Sequence, residues 1–129
     1  MASDWHQMAR KAASAANALT APEHYRSCVS RCYYAAYSAV AGELLRRDPG
    51  MRFARDRRNP DHGDLPRYIR NNLTHLPPWR RSKLATQVRF LRQAREDADY
   101  RPAAMVDEAR ARDARRFAHA VLRELGIEP

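Results

Sequence analysis

The sequence predicts an all-α protein built as a four- to five-helix up-and-down bundle. Apolar residues recur every three or four positions along most of the 129-residue chain, which is the period of helices that bury one face. Few stretches alternate with the period of two that is typical of strands, and only four residues are glycine. At this length we expect a single domain, residues 1–129, with a core of its own.

Five segments carry the helical period, and helix-breaking residues separate them. The second begins near Pro22, a favoured first-turn residue, and ends before the sequence Asp48-Pro49-Gly50. Because its apolar residues cover more than one face, we expect it to lie at the centre of the bundle. The predicted helices cover approximately residues 4–19, 22–47, 64–73, 79–98 and 103–125.

The first and fifth segments each predict one buried stripe. In the first, the inward residues are expected to be Trp5, Met8, Ala9, Ala12, Ala16 and Leu19. In the fifth, they are expected to be Val106, Ala109, Asp113, Phe117, Val121 and Leu125. Asp64 is expected to cap the third helix, and Gly126 is expected to end the fifth.

Residues 48–63 show no helical period and are expected to form a mobile basic loop. Loops of this length are usually functional or disordered. Arginines crowd the segment, and Arg55, Arg57 and Arg58 are candidates for contacts with RNA phosphates. A solvated basic loop is an equally simple alternative.

The charge balance is strongly basic. The formal net charge is +9, and all but two of the 24 basic residues are arginine. The planar guanidinium bonds phosphate in pairs, so this balance suits a nucleic-acid partner. Alanine is abundant as well, and both residues become frequent in proteins from G+C-rich genomes. Composition alone therefore leaves RNA binding and genome bias open.

The compartment is expected to be the cytoplasm. No apolar run approaches the length that spans a bilayer, and no secretory signal is visible at the start, so we expect no membrane role. Cys28 and Cys32 lie four residues apart, on one helix face, and are expected to be buried, reduced thiols. A zinc site would need two further ligands close by. We expect no metal and no cofactor.

Residues 31–37, Arg-Cys-Tyr-Tyr-Ala-Ala-Tyr, place an arginine and three tyrosines on the most apolar helix. The polar ends of such side chains need partners when they are buried. Helical spacing puts Tyr34 on one face with Arg31, and this pair is a candidate for phosphate binding. Alternatively, the tyrosines pack in the core and send their hydroxyl groups to its rim.

Residues 91–100 place Arg92, Arg95 and Asp99 on one face of the fourth helix, and Tyr100 follows. An intrahelical arginine–aspartate salt bridge would explain the spacing, and when exposed it would contribute roughly a few tenths of a kcal/mol. The functional alternative is a pocket in which guanidinium groups hold a phosphate and Asp99 orients them.

Pairs of arginine and histidine are the third pattern. Metal-independent RNA cleavage needs a base for the 2′-OH, an acid for the leaving oxygen and a cation for the phosphorane. Four residues separate Arg57 from His62, and four separate Arg70 from His75. In a chain so rich in arginine, such spacings also arise by chance.

Two signatures together resemble a known family. Residues 31–37 match Arg-x-Tyr-Tyr-Ala-x-Tyr, residues 91–100 match Leu-Arg-x-x-Arg-x-x-Ala-Asp-Tyr, and Asp61-His62-Gly63 lies between them. In this order and spacing, they resemble the HEPN-domain proteins of the small stand-alone prokaryotic kind. The resemblance extends over most of the chain, roughly from residue 5 to residue 125.

The resemblance implies a four- to five-helix bundle that usually forms a homodimer. HEPN domains recur in toxin–antitoxin, CRISPR and antiviral defence systems, and many small ones are encoded beside a nucleotidyltransferase partner. Many are metal-independent ribonucleases that carry an Arg-x4-6-His motif at the dimer cleft. RNA and a second copy of the chain are therefore the expected partners, with a nucleotidyltransferase or a larger defence complex as a further one.

This chain departs from that catalytic motif. Arg95 is followed by Asp99 and Tyr100, so aspartate stands in the place of the motif histidine. A carboxylate is a weak base near neutral pH unless its surroundings strongly disfavour its charge. His62 matches a histidine that precedes the third helix in this branch of the family, and it is expected to enter the cleft from the loop.

Two main hypotheses follow, an RNA-cutting enzyme and a non-catalytic binding or scaffold subunit, and a nucleotide-binding module whose arginines hold phosphates is a more remote third. The predicted catalytic residues are Arg95, Asp99, Tyr100 and His62, with Arg70 and His75 as an alternative pair. The predicted RNA-binding residues are Arg31, Tyr34, Arg55, Arg57, Arg58 and Arg92. Whether a histidine lies near Arg95 separates the two hypotheses, because cleavage needs a base.

Overall fold

This computed structural model describes residues 2–127 of the chain, with side chains described for residues 4–127. This region contains five α-helices and three short 3₁₀ helices. The α-helices are α1 (Ala2–Ala18), α2 (Tyr25–Arg47), α3 (Leu65–Asn72), α4 (Pro78–Tyr100) and α5 (Glu108–Glu124). The 3₁₀ helices cover Pro22–His24, Ala54–Asp56 and His62–Asp64. The predicted all-α fold is confirmed, and dimerisation stays a prediction.

Helix α2 is the centre of the bundle, as its wide apolar surface predicts. It packs against α1, α4 and α5, and α3 reaches the core by packing on α4. Its buried residues run without a large gap from Cys28 to Leu44, and they include the complete side chain of Tyr33. A helix covered on several sides must bury its polar atoms as well, so the hydroxyl groups of α2 need partners from other elements.

The start and the stripe of α5 differ from the sequence prediction. The helix begins at Glu108 rather than near Ala103, and Asp107 caps it by accepting a hydrogen bond from the backbone N–H of Arg110 at 2.9 Å. The predicted stripe is wrong at Ala109, which is exposed, and at Asp113, whose side chain is 44% exposed and pairs with Arg116. The buried face consists of Ala111, Ala114, Ala118, Val121 and Leu122. Alanines carry most of this face because they let α5 approach α2 closely.

The predicted stripe of α1 is wrong at Met8, which is 53% exposed. The buried residues of this helix are Ala9, Ala13 and Ala16, so the contact with α2 is again made by alanines. Because alanines bring α1 close to α2, the large side chain of Met8 does not fit between the two helices and lies at the edge of their contact.

The predicted capping role of Asp64 is also wrong. Asp64 occupies the residue before α3, but its side chain makes no capping hydrogen bond and instead pairs with Arg67 at 3.5 Å. The preceding 3₁₀ helix continues directly into α3, because the backbone N–H of Leu65 donates to the carbonyl of His62. Gly126 follows the end of α5 with φ of +74°, the left-handed conformation expected there.

The basic segment 48–63 is held to the bundle at several points. The hydroxyl of Tyr37 in α2 donates to the carbonyl of Pro60 at 2.7 Å, and that hydroxyl group is buried. The backbone N–H of Ala54 donates to the hydroxyl of Tyr68 in α3 at 3.0 Å. These contacts fix the path of the segment across one face of α2, while its mobility stays a prediction.

We expect Gly42→Ala to destabilise the fold. A Cβ atom at Gly42 would lie 2.7 Å from Cδ2 of His6 and 2.8 Å from Cβ of Trp5, so α1 would have to move away from α2. The free energy of unfolding should fall by about 1–3 kcal/mol, although alanine is the better helix former. Chemical denaturation measures it. Gly50→Ala, where an added Cβ atom would meet only Oδ1 of Asp48 at 3.9 Å, is the control and should change the free energy of unfolding by less than about 0.5 kcal/mol. A more stable Gly42→Ala variant would contradict the close contact between α1 and α2.

Candidate functional site

Arg95 is the hub of a polar cluster between α2 and α4. Its side chain is only 13% exposed. Nη2 donates to the hydroxyl oxygens of Tyr34 at 2.9 Å and Tyr100 at 3.1 Å, and Nε donates to Oδ2 of Asp99 at 3.1 Å. The guanidinium carbon also lies 5.3 Å from the ring centre of Tyr34 and 5.1 Å from that of Tyr100, within the range of cation–π attraction. Both signatures of the sequence therefore meet at one arginine.

Asp99 is bound from two helices. Its Oδ2 accepts from Arg95 within α4 and from Oγ of Ser30 in α2 at 3.1 Å. The intrahelical salt bridge therefore exists, and it is also part of the contact between helices. A carboxylate held by two donors from two helices is suited to orient the guanidinium of Arg95.

An open groove of about 510 Å³ runs along this cluster. It is lined by Ser27, Ser30, Arg31, Tyr34, Arg95, Asp99 and Tyr100. Five of the predicted site residues thus share one surface, because spacings of three and four residues align side chains along each helix. Tyr34 is 37% exposed and Tyr100 is 65% exposed, so both rings face solvent at the edge of the groove.

His62 enters from the loop and binds the central tyrosine of α2. Its Nδ1 lies 2.5 Å from the hydroxyl oxygen of Tyr33, and its ring centre lies 4.6 Å from that of Tyr37. The 3₁₀ helix His62–Asp64 and the Tyr37–Pro60 hydrogen bond fix the loop at this position. The rings of Tyr33 and Tyr34 contact both His62 and Arg95, so the histidine and the arginine belong to one cluster.

The surroundings of His62 disfavour its charged form. Burial lowers its pKa below the ordinary value of 6.5, and the positive charges of Arg95 and Arg92 lower it further, whereas Asp61 opposes the shift. The imidazole is therefore neutral near pH 7 and has a lone pair for a proton. This is the protonation state that a general base requires.

The tyrosines beside His62 stay protonated. Burial raises the pKa of Tyr33, and burial together with the charge of Asp61 raises the pKa of Tyr37 to about 12. The hydroxyl of Tyr37 is therefore a permanent donor to Pro60. The hydroxyl of Tyr33 can either donate to Nδ1 of His62 or accept from it, depending on the tautomer.

Arg92 adds a second positive charge at the loop. Its Nη2 lies 3.2 Å from Oε1 of Glu96, and its guanidinium lies against Gly63, where an added Cβ atom would be 3.7 Å from Nη1. Nε of Arg92 is buried without a hydrogen-bond partner among the described residues.

The loop arginines divide into two groups. Arg57 and Arg58 line a second groove, of about 390 Å³, together with His62 and Tyr37. Arg57 also forms a 2.8 Å ion pair with Asp61, and its side chain remains 52% exposed. Arg55 is exposed in the Ala54–Asp56 turn, and it does not line either groove.

The alternative pair lies elsewhere. Arg70 is exposed near the end of α3, and its carbonyl accepts from Nη1 of Arg81 at 2.6 Å. His75 is exposed, and the first positive charge that lowers its pKa, after burial, is that of Arg47 at the end of α2. Tyr34 lies 13 residues earlier on that helix, about 20 Å away along its axis. The structure therefore does not bring His75 to Arg95.

Three residues of the cluster are absent from the predicted site. The sequence places Tyr33 and Tyr37 on the buried face of their helix, and their hydroxyl bonds to the loop cannot be inferred without knowing the path of the loop. Ser30 precedes Arg31 and lies four residues before Tyr34, so the helical period could have identified it. The salt bridge with Arg95 already accounts for Asp99, so the sequence gives no separate reason to expect that Ser30 binds it as well.

Two negative findings apply to the described part of the chain. Within residues 4–127, His, Cys, Asp and Glu side chains form no group of three or more that could hold a metal ion. Among the helices described, none combines the length and the apolar character needed to cross a bilayer. Cys28 and Cys32 are buried as free thiols.

The comparisons with known proteins concern nearly the whole chain. The sequence model of the HEPN domain family matches residues 2–127. No curated protein and no solved structure matches the chain. The matched region includes all five α-helices and both signatures that meet at Arg95, and an all-α bundle is the fold of this family. The chain therefore belongs to the HEPN domain family.

Proposed function

We propose that this protein acts on RNA in a prokaryotic defence or toxin–antitoxin system, as a cytoplasmic, metal-independent ribonuclease. The observation that carries the proposal is the neutral His62, bound to Tyr33 and close to the positive charges of Arg95 and Arg92. A base next to cations is what cleavage through the 2′-OH requires. Asp99 then has the role of orienting Arg95.

The proposed reaction uses the RNA's own 2′-OH as the nucleophile. In the tautomer with the proton on Nδ1, that N–H donates to the oxygen of Tyr33, and Nε2 of His62 accepts the 2′-OH proton. The 2′ oxygen forms a bond to phosphorus, the bond to the 5′ oxygen breaks, and that oxygen takes a proton from water. The hydroxide that remains takes the proton from Nε2 of His62, which restores water and the neutral imidazole. Arg92 and Arg95 stabilise the negative charge that develops on the phosphorane. The products are a 2′,3′-cyclic phosphate and a 5′-hydroxyl.

The two grooves suit a single RNA strand. Arg31, Arg57 and Arg58 provide positive charge along them, and the hydrogen bonds of Arg95 use Nε and Nη2, which leaves Nη1 for a phosphate oxygen. Tyr34 and Tyr100 offer exposed rings on which unpaired bases can stack. In-line attack also needs a flexible backbone, which a single strand provides. The proposal includes a homodimer, as the family resemblance implies.

A second candidate is a non-catalytic HEPN subunit that binds a nucleotidyltransferase or a larger defence complex. Asp99 favours it, because this residue stands in the place of the motif histidine and is already held by Arg95 and Ser30. In this case Arg95 and its tyrosines form a structural joint between α2 and α4. The two candidates differ in whether His62 takes part in chemistry.

Cleavage of single-stranded RNA in EDTA tests the enzyme. Wild type should cut, and His62→Ala should lose about 10²–10⁴-fold in rate, which is the usual effect of removing a general base. Arg95→Ala should lose a comparable factor because charge stabilisation is removed. The rates are measured by gel separation of end-labelled RNA, with the cyclic phosphate identified by mass.

The matched controls are His75→Ala and Arg70→Ala, which remove the same residue types away from the cluster. Both should cut as wild type does. Equal rates for all the variants, or no cleavage at all, would reject the enzyme in favour of the binding subunit. If only His75→Ala and Arg70→Ala lost cleavage activity, the active site would instead lie at the end of α3.

The pH dependence of cleavage reports on His62. Because the base must be neutral, kcat/KM should rise with pH, with a midpoint below 6.5, since burial, Arg95 and Arg92 lower the pKa of His62. Arg92→Gln removes one of these charges, so its midpoint should move upward toward 6.5. Arg112→Gln removes an equal charge from the exposed side of α5 and should leave the midpoint in place. A midpoint at or above 6.5 in wild type would argue against His62 as the base.

Salt dependence identifies the arginines that bind phosphate. Affinity for RNA falls as the salt concentration rises. On a plot of log association constant against log salt concentration, each phosphate of a single strand that the protein neutralises makes the slope more negative by about 0.7. Arg31→Gln and Arg58→Gln should each flatten the slope by about this amount, measured by fluorescence anisotropy on labelled RNA. Arg55→Gln lies outside both grooves and should leave the slope unchanged; an equal effect in all three variants would indicate a general charge effect.

A further inference from the structure

The end of α4 needs hydrogen-bond donors. The last carbonyl groups of a helix have no partner within it, and they carry partial negative charge. At α4 the backbone N–H of Arg101 satisfies the carbonyl of Asp97, after which the chain turns toward α5. Tyr100 and Asp99 of the candidate site belong to this same last turn, so whatever fixes the turn also fixes them.

One guanidinium supplies most of these donors. Nη1 of Arg26, at the start of α2, donates to the carbonyls of Asp97, Ala98 and Arg101, each at 3.1 Å. Nη2 of the same residue donates to the carbonyls of Pro102 at 3.0 Å and Ala104 at 2.6 Å. Arg26 therefore bridges the helix end and the turn that follows it, and it places a positive charge where the helix dipole favours one.

A carboxylate closes the turn from the other side. Asp97 accepts from Nη1 of Arg101 at 2.9 Å and from Nη2 of Arg110 in α5 at 2.6 Å. The hydrogen bonds from Arg110 and Arg101 keep the pKa of Asp97 below its usual value. The turn between α4 and α5 is thus bonded to α2 through its backbone and to α5 through Asp97.

We propose that Arg26 is a positioning residue for the candidate site. It binds the carbonyls on both sides of Asp99 and Tyr100, and Ser30, one helical turn further along α2, binds Asp99 itself. Together they hold the last turn of α4 so that the ring of Tyr100 stays over Arg95 at the edge of the groove. The effect on RNA binding rests on the proposed function, whereas the effect on the turn does not.

The geometry requires arginine rather than any cation. The five carbonyl groups fall into two sets, each reached by a different nitrogen of a planar fork. A lysine offers three donors at a single point and cannot reach both sets. Arg26→Lys should therefore fail although it keeps the charge, which separates positioning from simple electrostatics.

The experiment compares Arg26→Lys and Arg26→Met with Arg112→Met, which removes a charge from an exposed position on α5. Hydrogen exchange by NMR follows the backbone N–H groups of Arg101 and Ala104, which bond within the turn. Both Arg26 variants should exchange at least about tenfold faster there, with the amide of Val40 in α2 unchanged. The ring resonances of Tyr100 should shift in the same variants. Arg112→Met should behave as wild type.

RNA affinity then connects the turn to the site. Arg26→Met should weaken binding of single-stranded RNA about as much as Tyr100→Ala does, by roughly tenfold, which is the usual effect of removing the ring on which one base stacks. The double variant should bind no more weakly than Tyr100→Ala alone, because both changes act through the same ring.

Several results would overturn the positioning role. These are unchanged exchange at Arg101 and Ala104, rescue by Arg26→Lys, faster exchange at Val40 as well, or additive effects on affinity in the double variant. If the wild-type protein binds no RNA, the proposed function fails. The exchange rates and the resonances of Tyr100 still decide whether Arg26 holds the turn.

Discussion

The structure depends on burying a tyrosine at the centre of α2. Tyr33 is completely buried, and a phenol hydroxyl without a partner there would cost roughly 1–3 kcal/mol. His62 provides the partner, and Pro60 does the same for the hydroxyl of Tyr37. The loop is therefore held over α2 by the polar requirements of the core. Because His62 is held by its hydrogen bond to the buried hydroxyl of Tyr33, it also lies near Arg92 and Arg95 of α4.

Arginine plays a corresponding part between α2 and α4. Arg95 binds tyrosine hydroxyls and Asp99, and Arg26 binds backbone carbonyls, so each joins α2 to α4 through several hydrogen bonds. A guanidinium suits this work because its donors point in several fixed directions. Part of the basic composition is thus structural, which explains why net charge alone could not separate RNA binding from genome bias.

The sequence predicted most of the fold and a large share of the candidate site. Spacings of three and four residues within a helix were sufficient to group Arg95 with Asp99 and Arg31 with Tyr34, and a wide apolar surface identified α2 as central. Most failures involve contacts between segments. The start of α5 was predicted too early because Arg26 binds the carbonyl of Ala104 within the turn, whereas the cap at Asp107 is a local signal that the prediction overlooked. The partner of Tyr33 could not be predicted because it depends on the path of a loop without periodicity.

The electrostatics of His62 bear on what the site does. Burial and the charges of Arg95 and Arg92 disfavour the protonated form of His62, and the charge of Asp61 opposes them only in part. An RNA phosphate in the grooves would offset those positive charges and make protonation of the imidazole easier. The neutral base would then become most able to hold a proton when its substrate is bound, which is the order of events that cleavage requires. In the proposed ribonuclease this coupling would assist the transfer of the proton to His62, and Asp99 would keep Arg95 in place.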